Sequence, residues 1–158
     1  LWKHSTLADI LGLVSLEEIE QFQAVTLVRN PWDRVGSYYH WLRVQGFAHP
    51  AVGLARTHDF SGFLRHPQTL ASLRLWPYWA YLRLPSGAEK TSLFIRLEHL
   101  DEAAAPLWSH LGFRLTLPRA NESGRDRDWR GYYSDADAAL LAEVCAEDIA
   151  RFGYRFDG

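Results

Sequence analysis

The sequence predicts an α/β fold with a parallel sheet and helices on both faces, and three observations carry that expectation. Ala24-Val25-Thr26-Leu27-Val28 and Ser92-Leu93-Phe94-Ile95 are short apolar runs rich in β-branched or aromatic residues, the pattern of buried strands. Each run is followed by a helical pattern, and strand-then-helix repeated in one chain points to parallel pairing. Neither run alternates apolar with polar residues, which is what burial on both faces demands of a central strand. Two strands make too small a sheet, so further strands are expected to be short, hidden or upstream of Leu1.

The helix after the first strand is signposted at its start. Asn30 suits the N-cap, Pro31 the first helical position, and Asp33 places a carboxylate in the first turn. Val35, Tyr38, Tyr39 and Leu42 recur at helical spacing as a core-facing stripe, and Gly46 ends the helix. Further helical patterns run over Asp59–His66, Leu70–Leu84 and Asp101–Leu111. Leu100, Ala104, Leu107, Trp108 and Leu111 fit one buried face there, and Pro106 delays or kinks that helix. The last helix starts at Ser134, with Asp137 three residues on in a capping-box arrangement. Its stripe is Leu141, Val144, Cys145, Ile149 and Phe152, closed by Gly153. Arg119 to Gly131 is too charged to bury itself and reads as an exposed loop.

At 158 residues, 47% hydrophobic and 23% charged, the chain has globular composition and the length of one domain, residues 1–158. A net charge of −2 argues against a general nucleic-acid binder. No apolar stretch is long enough to span a bilayer, and no signal-peptide pattern follows Leu1. Cys145 is the one cysteine, which excludes an intrachain disulfide and a cysteine-based zinc site, and it reads as a packed, inert thiol. These features make a cytoplasmic, bacterial protein the expectation. Basic residues are fifteen Arg against two Lys, a bias that suits a GC-rich genome and also supplies planar forks for anions.

The string with chemical content is Val28-Arg29-Asn30-Pro31-Trp32-Asp33-Arg34-Val35-Gly36-Ser37-Tyr38-Tyr39. A buried strand delivers Arg29 to its carboxyl end, where open α/β sheets bind ligands. The helix that starts at once adds free N–H groups and its positive dipole end. Ser37 lies two turns in, off the apolar stripe, so Arg29 and Ser37 together are candidates to hold one phosphate. A capped helix with a surface Arg and Ser is the plainer alternative.

This string resembles the 3′-phosphate-binding motif of sulfotransferases that use 3′-phosphoadenosine 5′-phosphosulfate (PAPS), in the carbohydrate and heparan sulfate 2-O-sulfotransferase-like branch. Phe94-Ile95-Arg96-Leu97-Glu98-His99-Leu100 is similar to the family's late strand, and Gly153-Tyr154-Arg155-Phe156 to its C-terminal close. The resemblance implies a P-loop-kinase-like sheet and sulfuryl transfer to a hydroxyl, of a carbohydrate by expectation, with no metal. It also implies that Arg29 and Ser37, eight residues apart, bind the 3′-phosphate. His4, in Lys3-His4-Ser5-Thr6 and twenty-five residues before Arg29, matches the family's catalytic base. A neutral imidazole suits that role. Asn121, Ser123 and Arg125 correspond to a family segment that closes over the nucleotide. Glu98 reads as structural, an acidic group for the following helix.

The family's phosphosulfate loop, rich in Lys/Arg, Gly, Ser and Thr, has no counterpart in the sequence, and the expectation is that it and the first strand precede Leu1. Trp76, Tyr78, Trp79 and Tyr81 suit stacking on sugar rings, although Trp76 and Trp79 with Leu75 and Leu82 also fit a helical core face. Two rival functions stay open: a P-loop-type kinase, and a non-catalytic nucleotide- or glycan-binding relative.

Overall fold

The computed structural model describes residues 5–90, 92–116, 125–126 and 128–157. Its strands are β1 (Ala24–Val28) and β2 (Ser92–Arg96). The first five helices are α1 (Leu16–Gln21), α2 (Pro31–Arg43), α3 (Pro50–Thr57), α4 (Phe60–Arg65) and α5 (Pro67–Leu75). After β2 come α6 (Leu100–Ala103), α7 (Ala105–Leu111), α8 (Asp135–Val144) and α9 (Ala146–Phe152). The chain divides into two compact units: the residues up to Arg29 with Trp76–Thr116, and Asn30–Leu75 with the chain beyond Thr116.

The first unit holds the sheet. β1 and β2 pair in parallel, Ala24 opposite Ser92 and Val28 opposite Arg96, so the α/β class and the parallel pairing follow the sequence expectation. The two strands are direct neighbours, and they are the whole sheet among the described residues. Burial concentrates at Val28 and Ile95, whereas Leu27 stays 48% exposed. The unbroken apolar runs promise cover on both faces, and the structure does not supply it. A run of four or five apolar residues cannot by itself distinguish two-sided burial from one-sided, and a two-stranded ribbon has few neighbours to supply the second cover. Ile19 of α1 and Ala104, between α6 and α7, complete this small core with Tyr78, Ala80 and Leu82.

The second unit is helical and is organised on α2. Asn30 caps it by accepting the Trp32 N–H at 3.1 Å, with Pro31 in the first turn. The buried stripe is Trp32, Val35, Gly36, Tyr39 and Leu42, while Tyr38 is 42% exposed. This corrects the expected stripe, which is turned toward Trp32. The indole explains the turn: it packs on Trp129 and Phe156, and its N–H donates to the Ala138 carbonyl at 3.0 Å. Gly36 faces the same cluster, and a Cβ there would meet the Tyr132 ring at 3.6 Å, an ordinary contact that an alanine could make. Farther along, Tyr39, Phe60 and Phe63 interlock edge to face or tilted.

Three expected helices break where the chain forces them to, and one expected loop is partly buried. The helix expected over Leu70–Leu84 ends at Leu75, because Pro77 cannot continue it, and a 3₁₀ turn covers Tyr78–Leu82. Trp76 and Trp79 are therefore only half-buried, and Tyr78, expected among the sugar-stacking rings, lies in the core. The helix expected over Asp101–Leu111 divides at Ala104, next to the Pro106 turn, and leaves Leu111 at 37% exposure. The last helix divides at Cys145, with Gly153 closing α9 in the left-handed region at φ 62°. The segment Arg119–Gly131 is not wholly an exposed loop: Trp129 is buried, and Arg125 is only 10% exposed.

Ser134 caps α8 by accepting the Asp137 N–H at 3.2 Å, but Asp137 does not return the bond as a capping box would. Its carboxylate, 2% exposed, instead accepts from the Ser134 and Ser61 hydroxyls and from Arg65 Nε at 2.7 Å. Burial favours the protonated acid, but the Ser134, Ser61 and Arg65 contacts outweigh it and hold the pKa below its ordinary value. Asp137→Ala should cost about 2–3 kcal/mol at neutral pH, a figure that allows for solvent around Arg65. Because the folded-state pKa is depressed, this contribution is complete well above the ordinary value of 3.8 and fades as pH falls through the lower folded value. Urea unfolding of both proteins across that range checks the size and the direction.

Candidate functional site

β1 ends at Val28, which is fully buried, and Arg29 follows it at the carboxyl end of the sheet. The backbone of Arg29 is fixed by one side chain. The Tyr78 hydroxyl accepts the Arg29 N–H at 3.1 Å and donates to the Arg29 carbonyl at 3.0 Å. Tyr78 thus satisfies both main-chain groups, as a neighbouring strand would, at the residue where β1 stops. Arg96, the last residue of β2, stands opposite Val28, so the sheet presents two arginines at the same end. The sequence expectation does not include Arg96 as a site residue. Its position in Phe94-Ile95-Arg96, matching Leu27-Val28-Arg29 as an apolar run closed by arginine, is the signal that could have found it.

In the second unit, α2 carries Asp33, Ser37 and His40 at spacings of four and three, which places them on one helical face. The Ser37 hydroxyl is half-buried and makes no side-chain hydrogen bond to a described residue. Asp33, in the first turn, is 14% exposed and forms an ion pair with Arg125. Arg125 also donates from Nη1 to the Asp126 carbonyl at 3.2 Å. Two of the guanidinium nitrogens are therefore occupied within the protein, a commitment that spacing in the sequence does not reveal.

His40 has no distinguishing context in the sequence, and its surroundings come from the fold. Its ring lies 4.7 Å from the Tyr132 ring and 5.2 Å from that of Tyr39, and its Nε2 is buried without a hydrogen-bond partner among the described residues. Burial lowers its pKa, with the positive charges of Arg125 and Arg43 acting the same way, so the ring is neutral near pH 7. Burial likewise pushes the Cys145 thiol up to about 11, in keeping with an inert packed cysteine. The Tyr133 hydroxyl is held protonated by burial and donates to the Trp32 carbonyl at 2.8 Å.

Of the other expected site residues, His4, Asn121 and Ser123 lie outside the described residues. Thr6, two residues after His4, has a structural role, because its N–H and hydroxyl both donate to Asp9 at the start of a 3₁₀ turn. Glu98 is exposed in the 3₁₀ turn Leu97–His99 that leads into α6. The expected sugar-stacking group holds together in part, with Trp76 and Tyr81 rings 5.5 Å apart and Arg83 over the Trp79 ring at 4.3 Å. Arg29 and Ser37 fall in different units, so the clamp expected between them is not a feature of either unit alone. Among the described residues no three His, Cys, Asp or Glu side chains gather as a metal would require, and no helix is long and apolar enough to cross a membrane.

The Tyr78 contact is directly testable. Tyr78→Phe keeps the buried ring and removes only the oxygen, leaving the Arg29 N–H and carbonyl without that partner. It should cost about 1–3 kcal/mol, read as a lower thermal midpoint, while Tyr81→Phe at the half-buried neighbour should be nearly neutral. Comparison with protein-family models, with curated proteins and with solved structures returns no match to this chain.

Proposed function

We propose that this chain is part of a PAPS-dependent sulfotransferase with a P-loop-kinase-like architecture, transferring a sulfuryl group to a hydroxyl, most naturally that of a carbohydrate. The observation that carries the reading is the passage from β1 to α2. An arginine follows the buried end of a parallel strand, and one residue later an Asn-capped, Pro-initiated helix begins, with a serine two turns in whose hydroxyl bonds to no described residue. Those are the local parts that the resembling motif needs.

In this reading Arg29 donates charge-assisted hydrogen bonds to the 3′-phosphate of the donor substrate and Ser37 adds a hydroxyl donor. Arg125, Asn121 and Ser123 belong to the segment that covers the nucleotide. His4 takes the proton of the acceptor hydroxyl as its oxygen attacks sulfur, and the bisphosphate departs with the electron pair of the broken S–O bond. Positioning and charge stabilisation supply most of the rate, as in phosphoryl transfer.

Calorimetric titration with 3′-phosphoadenosine 5′-phosphate, beside a sulfate-transfer assay on the full-length protein, tests these roles. Arg29→Ala should weaken bisphosphate binding at least roughly tenfold, and Ser37→Ala by a few-fold. His4→Ala should leave that binding nearly unchanged while turnover falls about 10²–10⁴-fold. Tight Mg-ATP binding with none of the bisphosphate would instead mark a kinase. Bisphosphate binding with no transfer to any hydroxyl acceptor would mark a non-catalytic relative.

A further inference from the structure

The second unit contains a cavity of about 300 Å³ bounded by α2, α3, α4 and α5. Its walls are apolar, formed by Val35, Leu54, Phe63 and Leu73, and no Lys, Arg, Asp or Glu side chain lines it among the described residues. Val35 and Tyr38 reach it from α2. They lie roughly 160° and 100° around the helix from Ser37, so the cavity does not share the face that carries Asp33, Ser37 and His40.

One polar group in the lining stands out. Thr69 of α5 is only 8% exposed, yet its hydroxyl has no hydrogen-bond partner among the described residues. A helical threonine ordinarily satisfies its hydroxyl on a carbonyl one turn back, as Thr57 does on Gly53 at 2.9 Å. That oxygen is not sealed from solvent, since the buried side-chain atoms without a partner among the described residues are His40 Nε2, Trp79 Nε1 and Trp108 Nε1; a ligand group that met it inside the cavity would exchange water for a direct hydrogen bond. Gln68 and Ser72, at the rim of the same helix, add polar groups at the mouth, and His49 uses its Nδ1 to cap α3 at 3.2 Å from the Ala51 nitrogen.

We propose that this cavity binds a small uncharged molecule, about two fused rings in size, with one hydroxyl or carbonyl that hydrogen-bonds to Thr69. The size follows from volume, since about 150 Å³ of apolar cavity accommodates one benzene ring. The absence of charge follows from the walls, which carry no Lys, Arg, Asp or Glu to offset the desolvation of an ion. Apolar walls with one placed polar group are the usual make-up of a small-molecule site. The site stands apart from the sulfotransfer reading, and neither depends on the other.

The test uses 2-naphthol as the probe, by calorimetry and by isotope-edited NMR of the whole chain. Wild type should bind it at sub-millimolar concentration, with shift changes confined to the lining of α2 to α5. The 2-naphthoate anion should bind at least roughly tenfold more weakly, because its charge finds no partner. Thr69→Val, which keeps the shape, should weaken 2-naphthol about 2–10-fold. Ser72→Trp, at a helix position on the rim, and Ala51→Phe should each block the cavity and abolish binding while the thermal midpoint holds. No binding of 2-naphthol up to millimolar concentration would overturn the proposal. So would undiminished binding in both blocked variants, equal affinity for the anion, or an unaltered affinity in Thr69→Val.

Discussion

The second unit depends on how α2 is started and held, and one side chain does both. Asn30, 5% exposed, accepts the Trp32 N–H on its Oδ1 and donates from Nδ2 to the Arg155 carbonyl at 3.1 Å. The first bond caps the helix; the second ties its origin to the C-terminal segment 125 residues away. A serine or threonine could cap as well but has no second arm to reach Arg155. Every candidate on this helix, Asp33, Ser37, His40 and the cavity residue Val35, takes its position from that origin.

The fixation is reinforced from two sides. The Trp32 backbone and indole are both engaged, the carbonyl by Tyr133 and the ring N–H by Ala138, so the first turn of α2 is held to α8 and the turn before it. Around it Trp129, Tyr133 and Phe156 pack at edge-to-face angles, a geometry that favours ring edges against ring faces and resists sliding. Asp137 does for α8 and α4 what Asn30 does for α2, joining Ser61 and Arg65 to the helix start. Aromatic packing supplies the buried area, and these two polar residues supply the registry.

Local signals are readable where local chemistry decides the outcome. β1 and the start of β2, the Asn30-Pro31 helix start, the helix within Asp59–His66 and the Gly153 stop all match the sequence expectation, because caps and turns act within a few residues. The features that escape sequence reading are set by distant partners. The turn of the α2 stripe toward Trp32 needs Trp129 and Phe156, and the burial of Arg125 needs Asp33, 92 residues back. Tyr78 reads as a sugar-stacking ring in the sequence because its partner, the Arg29 backbone, is 49 residues away and carries no side-chain signal. Thr69 reads as an ordinary helix residue, and only the packing of four helices places it in the wall of a cavity.

The Asp33–Arg125 pair bears on whether the start of α2 can receive an anion at all. A carboxylate in the first turn is favourable for a free helix, since it faces the positive end of the dipole. The same carboxylate, unpaired, would repel a phosphate brought to those N–H groups and cancel much of what the dipole offers. Arg125 removes that conflict: the pair is neutral, both members are nearly buried, and the field of Asp33 is offset at its source. The helix start therefore keeps its own positive character while retaining the first-turn carboxylate. His40, held neutral by burial and by the charges of Arg125 and Arg43, adds no charge of its own on that face. In electrostatic terms, Arg125 lets the second unit keep an acidic residue in the first turn of α2 without a net charge there.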